Sequence, residues 1–293
     1  MWVFILISSL SDSSDENRFV VGSKDGHVTI WTKSSPKSTK LFNNSEQWKN
    51  ATFVKYANKK IFAIGKSNAR LHILDLKLNT LKKVDHQFER EITAMESSSS
   101  FVAIGEACGN VSIFDNNGDL ILVSHFWPGK SLFQNYKHGN SVYSISINGD
   151  TVASGSFDET CQVWSVSKNK KLYSVKHNSW INHVHLLPDQ KLKFDLITCS
   201  DDKTVKLWRR GRIVKSLQQS DWCYHFDLDK DHRLLAVATG FDVNGSVSVY
   251  RLDTFAKIYE KAIGSTSNVR FNKNATKLIA ASFNGSVYEI SLQ

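Results

Sequence analysis

The chain has 293 residues, 41% of them hydrophobic and 22% charged, with only three prolines and four cysteines. That balance excludes a disordered, collagen-like or low-complexity chain, and four cysteines are too few for a disulfide-stapled scaffold. Lys and Arg number 37 against 28 Asp and Glu, and the net charge of +9 is compatible with an acidic partner. The length suits two ordinary domains or one large all-β or barrel domain.

From the start of the chain, Trp2-Val3-Phe4-Ile5-Leu6-Ile7 is an apolar run. It lacks a basic flank and a clear small-x-small cleavage site, and Asp12, Asp15 and Glu16 follow too early for a secretory signal. It reads as a buried strand, over Trp2–Ser8, followed by a second strand over Phe19–Gly22. No apolar run reaches the roughly 18 residues a membrane helix needs. Cys108, Cys161, Cys199 and Cys223 form no CxxC pair. They read as small buried residues in a reducing compartment, which with the missing signal points to the cytoplasm, the nucleus or both.

An internal repeat dominates the rest of the chain. Asp25, Asp158 and Asp202 each stand six residues before a tryptophan, Trp31, Trp164 and Trp208. Small residues precede each Asp and alternating apolar residues precede each Trp, so a strand enters, turns tightly and returns. Four weaker copies in the same register end at Leu74, Phe114, Tyr250 and Ile290. The seven end positions are spaced 43, 40, 50, 44, 42 and 40 residues apart. A period of ~40–45 with four strands per repeat is a propeller signature.

With these motifs the chain resembles the WD40-repeat β-propeller family over essentially its whole length. The resemblance implies an all-β, seven-bladed propeller of four-stranded antiparallel blades, a single domain over residues 1–293. It also implies a structural tetrad: a His before the first strand (a), a Ser or Thr on the second (b), the turn Asp, and the Trp on the third (c). The matching residues are His138, Ser154 or Ser156, Asp158 and Trp164 in blade four, and His177, Thr198 or Ser200, Asp202 and Trp208 in blade five. Blade one keeps Asp25 and Trp31 without an upstream His. Such a tetrad satisfies buried polar groups, so His138 and Asp158 are not read as a catalytic dyad. The sequence departs from the pattern in that no repeat Trp is followed by Asp; Leu74-Asp75 and Phe114-Asp115 keep that Asp without the Trp. Blade seven reads as Asn268–Phe271, Lys277–Ala281 and Val287–Ile290, for 27 strands where a closed ring of this family has 28. The expectation is a truncated chain or a three-stranded seventh blade with an open edge.

No catalytic motif of a hydrolase, zinc protease or nucleotide-binding enzyme is present, so no enzymatic activity, cofactor or small-molecule substrate is expected. His183 and His185 share one face of a strand and would be the start of a metal-dependent hydrolase, but read as channel lining, with no metal expected. Trp208-Arg209-Arg210-Gly211 is similar to the Phe-Arg-Arg-Gly motif of phosphoinositide-binding propellers, but it follows strand c rather than preceding an inner strand, so no lipid site is expected.

Two surfaces remain. In the family's geometry the a–b and c–d connections share one face, here rich in basic residues such as Lys168, Lys170, Lys171, Arg209, Arg210 and Arg212. An acidic protein or RNA fits that face, and so does simple solubility. The other, top face carries aromatics in its d–a segments: Trp48, Phe88, Trp180, Trp222 and, within a longer segment at 124–140, Phe126, Trp127, Phe133 and Tyr136. The last four are the candidate protein-binding residues; Trp48, Trp180 and Trp222 are expected to pack between blades. The reading is a protein-interaction scaffold or adaptor binding through the top face, in a sharper form a ubiquitin-ligase substrate receptor that resembles F-box/WD-repeat proteins but lacks the F-box. The alternative is an RNA- or ribonucleoprotein-associated propeller using the basic face.

Overall fold

Apolar runs of four to six residues separated by Gly-, Asn- and Asp-bearing turns have too little length for helices and the right length for strands. The computed structural model describes residues 7–12, 18–23, 28–32, 35–40, 51–57, 60–65, 71–75, 80–123, 137–188, 192–240 and 245–292. Among them there are 27 strands. No helix there is long and apolar enough to cross a membrane.

The strands form seven antiparallel meanders, each ordered a-b-c-d along the chain. Sheet one holds Ile7–Asp12, Arg18–Ser23, Val28–Thr32 and Ser35–Lys40. Sheet two holds Ala51–Ala57, Lys60–Gly65, His72–Asp75 and Thr80–Lys83, and sheet three Ile92–Ser97, Phe101–Glu106, Val111–Asp115 and Leu120–Val123. Sheet four holds Val142–Asn148, Thr151–Ser156, Thr160–Ser165 and Lys170–Lys176. Sheet five holds Ile181–Leu186, Leu196–Ser200, Thr204–Arg209 and Arg212–Gln218. Sheet six holds Cys223–Leu228, Leu234–Thr239, Ser246–Arg251 and Lys257–Ala262. Sheet seven has three strands among the described residues, Thr266–Phe271, Lys277–Ser282 and Val287–Ser291. The chain divides into two compact units, Met1–Ser154 with Trp164–Lys171, and Gly155–Val163 with Leu172–Gln293.

Burial falls from the inner strands outward. Phe101–Glu106 and Leu196–Ser200 are buried at every residue, whereas Arg212–Gln218 is exposed at all but Leu217. Strands covered on both faces are largely apolar; the outermost strand carries the lysines and arginines that discourage edge pairing. In the first unit one core gathers Phe62, Ile64, Ile104 and Phe114, and another Val142, Val152 and Trp164. In the second unit one gathers Phe194, Leu207, Phe226 and Leu235, and another Val247, Val249, Val269 and Leu278.

Strand a carries a β-bulge near its start in sheets one, two, three, five, six and seven, where one extra residue opposes strand b. A bulge re-aims side chains next to it; in the second unit the extra residues are Asn182, Tyr224 and Ser267. The sequence pattern gives no sign of it.

Three expectations are corrected. Strand a of sheet one, expected to end at Ser8, continues to Asp12, where its pairing with strand b places Leu10 opposite Val21 and Asp12 opposite Phe19. Residues 1–6 lie outside the described residues. Cys108 is only partly buried, since it falls in the b–c turn of sheet three, while Cys161, Cys199 and Cys223 are buried thiols. Sheet seven's first strand starts at Thr266, two residues earlier than the apolar pattern indicates, because Thr266 pairs with Ser282 ahead of the bulge.

Close packing demands a small residue near the end of strand b. A Cβ on Gly155 would lie 2.6 Å from Val184 Cγ1 and 2.7 Å from Ile181 Cγ2, and one on Gly105 would lie 2.6 Å from Val142 Cγ1. Both neighbours belong to strand a of the next sheet, where side chains are locked by packing. Gly155→Ala is therefore expected to cost about 1–3 kcal/mol, read as a lower urea midpoint at unchanged slope.

Candidate functional site

Sheet five contains an unbroken polar chain within its core. The buried imidazole of His177 places Nδ1 2.8 Å from Asp202 Oδ2 and Nε2 2.7 Å from Thr198 Oγ1, and Trp208 Nε1–H donates to that same Oγ1 at 2.8 Å. This pattern assigns one tautomer: Nδ1–H donates to the carboxylate, and the Thr198 hydroxyl donates to Nε2. Asp202 also accepts from the Thr204 hydroxyl and from the Asn178 N–H. The link ahead of strand a is thereby tied to the b–c turn and to strand c, which makes the sheet's top end rigid. Burial pushes the His177 pKa below its ordinary value, against the pull of Asp202. Burial alone would raise the Asp202 carboxyl, but the hydrogen bonds from His177 and Thr204 prevail and hold it well below the usual carboxylate range.

Sheet four is less complete. His138 Nε2 and Ser154 Oγ are 2.5 Å apart, and the His138 ring meets Trp164 edge-on with centroids 6.3 Å apart. Trp164 Nε1 is buried without a hydrogen-bond partner. The β-branched Thr198 has a stiff χ1 that aims its hydroxyl; Ser154 has no such restraint. Asp158, in the second unit, accepts from the Thr160 N–H and hydroxyl, and Ser156 accepts from the Asp158 N–H. In sheet five the corresponding Ser200 accepts from the Asp202 N–H. Asp25 lies outside the described residues, and of Trp31 only its place in Val28–Thr32 is described.

The top end of the second unit, where its b–c turns and d–a links lie, carries a set of exposed aromatics. Phe157 and Trp180 stack with centroids 4.4 Å apart and planes 17° apart. Tyr224, the bulged residue of sheet six, meets Phe283 edge-on at 4.9 Å. Trp180 is 48% exposed, Phe283 56% and Trp222 36%. Trp180 packs against Phe157 of the neighbouring sheet, as expected, yet both it and Trp222 keep part of their surface exposed. Each stands immediately before strand a, anchored by its backbone carbonyl, which accepts from Asp201 N–H or Gly240 N–H. With the main chain held, the indole is left at the surface.

A polar frame surrounds these rings. Asn182 donates to Asp201 at 2.5 Å and to the Cys223 carbonyl at 2.9 Å, and Lys203 lies 3.5 Å from Asp221. Burial raises the Asp201 carboxyl, helped by the charges of Asp202 and Asp221 and opposed by Asn182.

The remaining candidates are placed as follows. Phe126, Trp127, Phe133 and Tyr136 lie outside the described residues, as does Trp48. Lys168 and Lys170 are exposed and Lys171 half-buried, at the c–d turn of sheet four in the first unit. Arg210 and Arg212 are exposed and Arg209 half-buried, at the c–d turn of sheet five in the second. Acids accompany them: Asp150 accepts from Ser165 and from Ser167 N–H, and Asp195 from Tyr173 and from Arg210 N–H. His183 stacks on His225 at 4.3 Å and meets Phe226 edge-on. Burial, with the charge of Arg270, pushes His225 down to about 3. No group of three or more potential metal ligands occurs among the described residues.

The family profile described as "WD domain, G-beta repeat" matches residues 5–32, 129–165 and 169–209. Those segments carry WD40 repeats. A stretch of 75 residues, 25% of the chain, is 39% identical to F-box/WD repeat-containing protein 5 of Rattus norvegicus and spans 13% of that protein. Over 225 residues, 72% of the chain, it is 22% identical to the WD repeat-containing protein WDS homolog of Arabidopsis thaliana, spanning 40% of it. The chain thus spans well under half the length of these relatives. A chain in the crystal structure of the mitotic checkpoint complex superposes with a TM-score of 0.76 at 16% identity, covering 98% of this chain and 87% of that one. The fold is that of the WD40 propellers.

Two outcomes test the polar chain. Thr198→Val strands His177 Nε2 and Trp208 Nε1 without partners, at about 1–3 kcal/mol for each buried polar atom, which a thermal melt reads directly. For His177 the folded pKa lies below the unfolded value of 6.5, so the unfolded chain binds more protons between the two. Stability is then full above about 6.5 and declines as pH falls through that window; His225 adds to the decline, and Asp202 adds its own below 3.8. Urea denaturation from pH 7 to 5 is expected to show this slope, and His177→Gln to reduce it to the part that His225 contributes.

Proposed function

We propose that the protein is a non-enzymatic interaction scaffold that binds a segment of a partner protein at the top end of its second unit. The supporting observation is the exposure of Trp180, Trp222 and Phe283, with the half-buried Phe157 stacked on Trp180, on a frame held by hydrogen bonds. Rigid aromatic anchors beside polar groups contribute most of the energy in protein interfaces, and a preformed frame lowers the ordering cost of binding. The candidates Phe126, Trp127, Phe133 and Tyr136 belong to the same reading. A sharper form is a substrate receptor in a ubiquitin-ligase complex, supported by the 75-residue likeness to an F-box/WD-repeat protein. A cytoplasmic or nuclear location accords with free cysteines.

Affinity purification with mass spectrometry at low and high salt tests the proposal, comparing wild type, Trp180→Ala/Trp222→Ala and Trp127→Ala/Phe133→Ala. Partners kept by the wild type at high salt are expected to disappear from the first variant, with folding verified by its melting curve. Cullin-ligase subunits among them would support the sharper form. Partners that survive both variants and vanish with salt alone would overturn the top-end reading.

A further inference from the structure

At the opposite strand ends of the second unit, the a–b connections of sheets five and six and the c–d turn of sheet six enclose a groove of ≈ 820 Å³. Its walls follow from the sequence of sheet five. The a–b connection there spans residues 187–195, where sheet four needs only Gly149 and Asp150. Phe194 is drawn into the core at 1% exposure, and Asp195 N–H donates to the Trp208 carbonyl at 2.8 Å. The facing wall is equally fixed: Leu252 N–H donates to the Arg233 carbonyl at 2.8 Å, and Phe255, at φ +58°, leans its ring toward Phe194 with centroids 6.5 Å apart. A groove held this way exists before any ligand arrives.

The lining combines two chemistries. Leu234, Leu252 and Ile258 make an aliphatic surface, and Ile258 is 51% exposed. Arg233 and Arg251 stand at the rim: Arg233 pairs with Asp231 at 3.0 Å and lies 3.8 Å from the buried Asp229, and Arg251 pairs with Asp253 through Nε at 3.1 Å and Nη2 at 2.5 Å. Both arginines, Asp231 and Asp253 are more than half exposed, so these pairs are screened by solvent. Lys193 also lines the groove and Lys230 lies beside it; neither has a carboxylate partner among the described residues. The balance is a positive surplus around an aliphatic floor.

We propose that this groove is a second docking site, for an extended segment of a partner protein in which an aliphatic side chain is flanked by carboxylates. The aliphatic group sits on Leu234, Leu252 and Ile258. The carboxylates take over the guanidinium groups of Arg233 and Arg251 in the bidentate manner that favours arginine, with Lys193 adding attraction. A nucleic acid fits less well. Phe194 is too buried to stack on a base. The site is separate from the aromatic cluster, which lies at the other ends of the same strands, and does not depend on it.

Fluorescence anisotropy of the full chain tests the site with three labelled ten-residue peptides: one with a central Ile flanked by Glu, one with Lys replacing Glu, one with Ser replacing Ile. The Glu-flanked Ile peptide is expected to bind saturably, and the other two at least tenfold more weakly. Ile258→Asp and Lys193→Glu, both at exposed positions, are each expected to weaken it several-fold at an unchanged melting temperature. Trp180→Ala is expected to leave it unaltered. Equal binding of the three peptides, or wild-type affinity in both groove variants, would overturn the proposal. So would a labelled ten-nucleotide oligo(U) RNA that binds more tightly than the peptide and is lost in Lys193→Glu, which would assign the groove to phosphate.

Discussion

Covering both faces of the inner strands is the constraint on which the structure depends. The b strands Phe101–Glu106, Thr151–Ser156 and Leu196–Ser200 offer almost no surface to water. Polar side chains among them must find partners locally or destabilise the sheet. The chain from Asp202 through His177 and Thr198 to Trp208 meets that demand completely. The same requirement for close approach explains Gly105 and Gly155, whose missing Cβ atoms make room for strand a of the next sheet.

Once the faces are buried, recognition is left to the strand ends. In the second unit the two ends have acquired different chemistry. The top end displays stacked and edge-on rings around hydrogen-bonded Asn182 and Asp201. The other end displays aliphatic side chains rimmed by arginines. Both sets are anchored through the main chain: the Trp180 and Trp222 carbonyls at one end, the Leu252–Arg233 bond at the other. A scaffold that holds partly exposed side chains in place reduces the entropy lost when a partner docks.

Much of the architecture was readable from spacing. An Asp six residues before a Trp, present in three of the repeats that recur every 40–50 residues, specifies strand, turn and strand within a dozen residues, so it needs no knowledge of distant contacts. His177, Thr198 and Asp202 could be named for the same reason, since they belong to one repeat. The end of sheet one's first strand was misread because a hydrophobic run marks burial but not register, and register came from the partner strand. The basic residues at the c–d turns and the acids of the a–b connections were legible as charges; that Asp150 and Asp195 accept hydrogen bonds from the c–d turns depends on the fold.

The sequence by itself determined the class of fold, the number of repeats and the residues of the buried polar chain, because each depends on chemistry confined to one repeat. Only the tertiary structure decided that Trp180 and Trp222 face outward, that β-bulges place Asn182 and Tyr224 at the top end, and that a long a–b connection builds a groove with Ile258 and Arg251. Those outcomes depend on which neighbouring sheet covers a side chain, and one-dimensional spacing carries no record of that.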